Sequence, residues 1–271
     1  MPVAIASQRH ATTGSRGFGH RTESILRYGD QLAVRSKFLE PRHVRDSPDG
    51  RELIRYHWAD TSTPHAYRVG IFAGIHGDEQ SGVIATMQFL QHLEWDPGIA
   101  KFYELFIYPV CNPWGFDANR REGESGRDLN RCFWAEKDEP EVLLLEQELR
   151  AKRFDGIIAL HTDDTSEGIY GYANGSTLTR HLLEPALQAA SIALPRDYRP
   201  EIDTHPADGS IITGGYTGIL AAPPEQHPKP FEIVFETPHL APLSRQVDAH
   251  LSVLAEILKN FRAISSEGMD I

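Results

Sequence analysis

The chain has 271 residues, 40% of them hydrophobic, with 22 Gly and 18 Pro. That composition is globular and long enough for one large α/β domain or two small ones. A net charge of −11 and a pI near 5.6 argue against nucleic acid or an anionic membrane as the partner. Cys111 and Cys132 are too few for a disulfide framework and point to a reducing compartment. The first 21 residues carry only a five-residue apolar patch, unlike a signal peptide, and no apolar run reaches membrane-spanning length. A cytoplasmic protein is therefore expected.

Residues 1–47 are polar and irregular, an arm with one short helix around 21–38. "RELIRYHWA" (51–59) and "AYRVGIFAGI" (66–75) read as strands, and "QSGVIATMQFLQHLEW" (80–95) has helical spacing. "KFYELFIYPVC" (101–111) is β-rich, and "EPEVLLLEQELRAK" (139–152) is helical. "FDGIIALH" (154–161) is a buried strand, 176–191 a helix and "PFEIVFET" (230–237) a strand. An amphipathic helix over 243–261 closes the chain. Strands that are apolar throughout and separated by helices imply a mainly parallel mixed sheet sandwiched by helices. With no repeat or linker in view, residues 48–271 are expected to form a single α/β domain.

The reactive residues fall at strand ends. In an open α/β sheet, ligands bind beyond the carboxyl ends of the strands. His76 and Glu79 follow the second expected strand, and residues 112–133 follow the third. His161 ends one later strand and Glu236 ends another. Two histidines and a carboxylate make a hydrolytic zinc site with the fourth position left for water. Each residue also has a plainer role open to it: His76 as a polar turn residue, Glu79 as a first-turn carboxylate favoured by the helix dipole, His161 as a core histidine.

Taken together, "HGDE" (76–79), "NPWG" (112–115), "REGESGRDLNR" (121–131), "LHT" (160–162), "GSIITGGY" (209–216) and "FETP" (235–238) give the chain a wider likeness. It resembles the zinc carboxypeptidases, the carboxypeptidase A-like metallopeptidases, including the succinylglutamate desuccinylase/aspartoacylase branch. The motifs run in family order over residues 66–240. The resemblance implies a zinc-exopeptidase-like α/β fold and one Zn2+ per chain, held by His76, Glu79 and His161.

It also implies a role for each matching residue. Arg121, rather than the neighbouring Arg120, matches the arginine that polarises the scissile carbonyl and stabilises the oxyanion. Asn130 and Arg131 match the pair that holds the substrate's terminal carboxylate, a contact suited to the guanidinium fork. Glu236 matches the general base and Tyr216 the tyrosine that caps the substrate. Asp128 reads as orienting a loop or a ligand histidine, and Asp163 and Asp164 lie in a segment resembling a substrate-side loop, where either could tune specificity, with surface solvation the plainer reading. Cys111 and Cys132 read as packing residues. The bland alternatives are a solvated arginine cluster in the 120–131 loop, a strand-end carboxylate at Glu236 and a packing tyrosine at Tyr216.

Two activities fit. The first expectation is a metallocarboxypeptidase acting on small peptides, cell-wall-derived ones included. The alternative is an N-acyl amino acid amidohydrolase of the desuccinylase/aspartoacylase type. That branch usually carries a further β-domain, and the 35 residues after Glu236 favour the first. The segment 217–226 offers small apolar groups and no aspartate, so a strictly basic C-terminal residue is not expected. A third reading is an inactive carboxylate-binding protein. The expected partner is a small peptide or N-acyl amino acid, with no nucleic acid and no membrane, and homo-oligomers are left open.

Overall fold

Strands and helices alternate along the chain, and the computed structural model describes them over residues 20–44, 53–60, 67–135 and 138–266. Helix α1 (His20–Arg35) leads into β1 (Leu39–Val44), β2 (Leu53–Ala59) and β3 (Tyr67–Ala73). Then come α2 (Gln80–Trp95), β4 (Tyr103–Tyr108), α3 (Pro113–Ala118), α4 (Pro140–Lys152), β5 (Gly156–Asp163) and β6 (Tyr170–Ala173). Helices α5 (Ser176–Leu178) and α6 (Glu184–Ala190) flank a π-helical turn at Thr179–Leu183. Short strands β7 (Glu201–Ile202), β8 (His205–Asp208) and β9 (Ile211–Ile212) precede β10 (Phe231–Pro238) and the long α7 (Leu243–Ser266).

The strands form one sheet in the order β1-β2-β4-β3-β5-β10-β6-β9-β8-β7. Its centre, β4-β3-β5-β10, is parallel throughout, and antiparallel strands flank it on both sides. The fold is thus the expected mainly parallel mixed sheet between helices. Side-chain alternation splits the core into two layers. Val69, Ile71, Leu105, Ile107 and Ile158 pack with Leu90, Leu254 and Ile257 of α2 and α7. Phe72, Phe106, Tyr108 and Ile157 face Leu144, Leu145 and Leu149 of α4. Phe72 and Tyr108 stack with centroids 4.6 Å apart, a contact worth about 0.5–1.5 kcal/mol beyond area burial. With both faces covered, the central strands need apolar residues at nearly every position, which is why they read as unbroken runs.

Some details differ from expectation. The 51–59 strand is described from Leu53, residues 51–52 lying outside the described residues. Of the 1–47 stretch, residues 1–19 and 45–47 also lie outside them. Residues 39–44, expected to be irregular, pair antiparallel with β2 as an edge strand. An edge tolerates the proline and charges of "LEPRHV" because one side of its backbone is unpaired. The expected 176–191 helix is interrupted by the π-helical turn, next to Pro185, which has no N–H to donate to the preceding turn. No described helix is long and apolar enough to cross a membrane.

Candidate metal centre and active-site cleft

The carboxyl ends of the parallel strands build the site. Strand β3 ends at Ala73, and Gly74, at φ +62°, turns the chain out of the sheet. Gly77 then passes so close to the next loop that a Cβ on it would lie 1.9 Å from the Gly115 carbonyl carbon. Only glycine fits there. Glu79 occupies the N-cap position of α2 but makes no capping hydrogen bond. Its carboxylate is committed elsewhere: Oε1 lies 2.5 Å from His76 Nδ1, and Oε2 lies 3.0 Å from His161 Nδ1. The Thr162 backbone N–H also donates to Oε2. His161 and Glu236 are register partners on the parallel strands β5 and β10, which sets them side by side.

His76, Glu79 and His161 are only 3%, 5% and 2% exposed, and each offers a ligand atom within 4.8 Å of the others. Burial alone would disfavour the His76 imidazolium, but the Glu79 carboxylate, with Asp128, lifts its pKa to about 9. Desolvation lowers that of His161. Burial would raise Glu79, yet the two imidazoles hold it well below the carboxylate range. A buried carboxylate flanked by two imidazole nitrogens, with Glu236 and Asp128 close by, is a donor set that suits a divalent cation.

The loops after β4 brace this cluster. Asn112, fully buried, caps α3 by accepting from Gly115 N–H. Its amide donates to the carbonyls of Ile75, Arg121 and Glu122. Asp128 Oδ1 lies 3.0 Å from His76 Nε2 and accepts from Asn130 N–H, while Oδ2 accepts from Arg121. Burial would raise Asp128, but His76 and Arg121 hold it well below the usual range. Asp128 thus touches a histidine of the cluster and an arginine at once.

A cleft of about 450 Å3 opens over the cluster. It brings together His76 and Glu79 with Arg121, Asn130, Arg131, Tyr216 and Glu236. His161 is not among the residues that line it and lies buried against Glu79 Oε2. The Asn130 side-chain oxygen accepts from Leu220 N–H, so one end of that amide is spent on holding the 217–222 loop. The Arg131 guanidinium lies 5.7 Å from the Tyr216 ring centroid, and the Tyr216 hydroxyl donates to Asp203. Burial and the facing carboxylates Glu79 and Asp163 push Glu236 well above the carboxylate range.

Some lining residues were not anticipated. Asp203 reaches the cleft from the turn between β7 and β8, where Asp203 and Thr204 both have positive φ. Tyr170 and Tyr172 of β6 line the same wall. Asp163, expected to be solvated, accepts from the Tyr170 hydroxyl and from Thr165. The aspartates absent from 217–226 therefore enter from other segments. A two-residue strand carries too little periodicity to be seen in sequence; only the paired turn residues Asp203 and Thr204 hint at the hairpin.

The fold sets at the carboxyl ends of its parallel strands a buried cluster that could hold a metal ion. Residues 65–197 match the family described as "Succinylglutamate desuccinylase/Aspartoacylase catalytic domain". A "Probable aspartoacylase" from Nostoc sp. strain PCC 7120 is 37% identical over 93 residues. That match spans 34% of this chain and 29% of the Nostoc protein's length. A structure from Shewanella baltica OS155, provisionally designated a metallopeptidase, superposes with a TM-score of 0.74 at 21% identity, covering 88% of this chain and 91% of that one. A metallo-carboxypeptidase from Burkholderia cenocepacia gives 0.69 at 17% identity, covering 90% and 69%. The likeness to these solved structures is one of fold, and the family match covers just under half of the chain.

Proposed function

We propose that the chain is a zinc-dependent amidohydrolase that cleaves the acyl group from an N-acyl amino acid, the desuccinylase/aspartoacylase type of reaction. The observation that carries this is the family match over residues 65–197, which contains His76, Glu79, His161, Arg121, Asn130 and Arg131. It reverses the preference for a carboxypeptidase drawn from sequence. The solved structures are too distant in sequence to speak for more than the fold.

His76, Glu79 and His161 would hold one zinc. When bound, the metal polarises the amide carbonyl and acidifies the attacking water. Arg131, stacked on Tyr216 at the cleft wall, anchors the substrate carboxylate, and the remaining amide N–H of Asn130 assists. Arg121, held by Asp128, presents its guanidinium to the oxygen on which negative charge develops. Glu236 takes the proton from water and passes it to the leaving amine. Burial and Glu79 raise its pKa, and a cation at the ligand cluster would offset that repulsion and favour the ionised base. Tyr216 closes over the bound substrate. Two buried thiols, Cys111 and Cys132, that form no disulfide are consistent with a cytoplasmic setting.

A carboxypeptidase remains the second reading, favoured by one feature. Asp163, Asp164 and Asp203 line the cleft alongside Arg121 and Arg131. Such a wall disfavours a polyanionic acyl amino acid and accommodates the ammonium of a free peptide. A panel of N-acetyl and N-succinyl amino acids, blocked dipeptides and free dipeptides, offered to the zinc-loaded protein, separates the readings. Turnover of the N-acyl amino acids is expected. Turnover of peptides alone rejects the amidohydrolase, and zinc binding without turnover of any member leaves a binding protein.

A further inference from the structure

We infer that His250, on α7 and outside the cleft lining, is a positioning residue that keeps the metal ligands and the base in mutual register through a buried web of hydroxyls. The inference rests on the metal-centre reading above but not on the choice of substrate.

Three of the elements around the cleft, α2, β5 and β10, send a hydroxyl to the same imidazole or to its neighbours. Ser81 follows Glu79 by two residues on α2; Thr162 follows His161 on β5; Thr237 follows Glu236 on β10. Successive strand residues point to opposite faces. Glu236 lines the cleft, and the hydroxyls of Thr162 and Thr237 reach α2 and α7 respectively. There His250 Nε2 lies 3.0 Å from Ser81 Oγ and 3.4 Å from Thr237 Oγ1. Ser81 Oγ lies 2.8 Å from Thr162 Oγ1, which is 3.3 Å from Thr237 Oγ1. The web touches the ligands directly: Thr162 N–H donates to Glu79 Oε2 at 3.0 Å, and Thr237 Oγ1 donates to the His161 carbonyl at 3.4 Å.

His250 is a costly residue for a purely structural position. It is fully buried, and its Nδ1 has no hydrogen-bond partner among the described residues. An aliphatic side chain would fill the space between α7 and Phe235 without leaving that nitrogen unpaired. What the imidazole adds is one acceptor or donor shared by hydroxyls from separate elements. A shift of any one strand end by a fraction of an ångström is then resisted by the others. The spacing among Glu79, His161 and Glu236 is set by this web as much as by the sheet.

The test uses zinc affinity, measured by chelator competition, and the visible spectrum of the cobalt-substituted protein, with kinetics alongside. His250→Leu should weaken zinc about tenfold, alter the cobalt bands and lower kcat more than it raises KM. His250→Gln, whose amide can place a nitrogen near the Nε2 position, should recover most of that loss. Ser81→Ala should move all readouts the same way by less, and it decides the matter if His250→Leu does not fold. The proposal is overturned if the folded variants keep wild-type zinc affinity and cobalt spectrum, or if the Gln variant is as impaired as the Leu variant. A wild-type chain that takes up no zinc sinks the metal reading and this proposal together. One that binds zinc but cleaves none of the amides sinks only the substrate reading.

Discussion

Asp128 and Glu79 grip the His76 ring from opposite nitrogens: Asp128 Oδ1 lies 3.0 Å from Nε2, while Glu79 Oε1 lies 2.5 Å from Nδ1. The outer carboxylate fixes the ring's tautomer and direction, leaving Nδ1 for the metal. Asp128→Ala removes that hold and also frees Arg121. Zinc affinity should fall about 10- to 100-fold in chelator competition, with a parallel loss of activity.

Glu236→Gln keeps the shape of the side chain and removes only its capacity to take a proton. Turnover should fall by about 10^2- to 10^4-fold, while zinc content, measured by atomic absorption, stays near one per chain. Normal turnover would move the base elsewhere. Glu232 is a poor substitute, because its carboxylate accepts from Ala222 N–H and it does not line the cleft.

Arg131→Ala removes an anchor made to the substrate in ground and transition states alike. KM should rise by about 10- to 100-fold with a much smaller change in kcat. Steady-state kinetics show the split directly. A kcat loss at constant KM would transfer Arg131 from binding to chemistry.

Gly77→Ala places a methyl group where the Gly115 backbone already lies. Overpacking of this kind costs about 1–3 kcal/mol, so the melting temperature should drop by roughly 3–10 °C. Because the displaced turn carries His76 and Glu79, zinc binding should weaken with it. Calorimetry with and without metal separates the two effects.

Burial lowers the His250 pKa to about 3. The folded state therefore refuses a proton that the unfolded chain accepts below its ordinary value near 6.5. The stability contribution is complete above pH about 6.5 and declines as the pH falls towards about 3. The slope attributable to this group is about 1.4 kcal/mol per pH unit. Urea titrations of the metal-free protein from pH 7 to 4 should show His250→Gln flattening this limb. An unchanged slope would mean that His250 is protonated in the native state.

The central strands were legible because burial on both faces forces unbroken apolar runs, as in 66–75 and 154–161. The cluster of His76, Glu79 and His161 was legible because these residues stand where such runs stop. Asp128 was recognisable as a bracing residue from its place beside the "LNR" turn. Other features left little trace. Strand β1 reads as irregular because an edge accepts proline and charge, and β7 to β9 are too short to show alternation. Asp203 reaches the cleft only through that hairpin. His250 looks like any polar residue in an amphipathic helix, since nothing local reports the hydroxyls that α2 and β10 bring to it.

Asn112 has an architectural consequence for redesign. By tying Ile75, Arg121 and Glu122 to one amide, it welds the turn that carries His76 and Glu79 and the arginine loop into a single bank of the cleft. The opposite bank, where the β7–β8 hairpin meets Tyr216, is fastened by a hydroxyl–carboxylate bond and the His205 ring. Laboratory evolution aimed at new substrates should find its tolerated changes on that looser bank, and grafted hairpins should alter selectivity while sparing metal uptake.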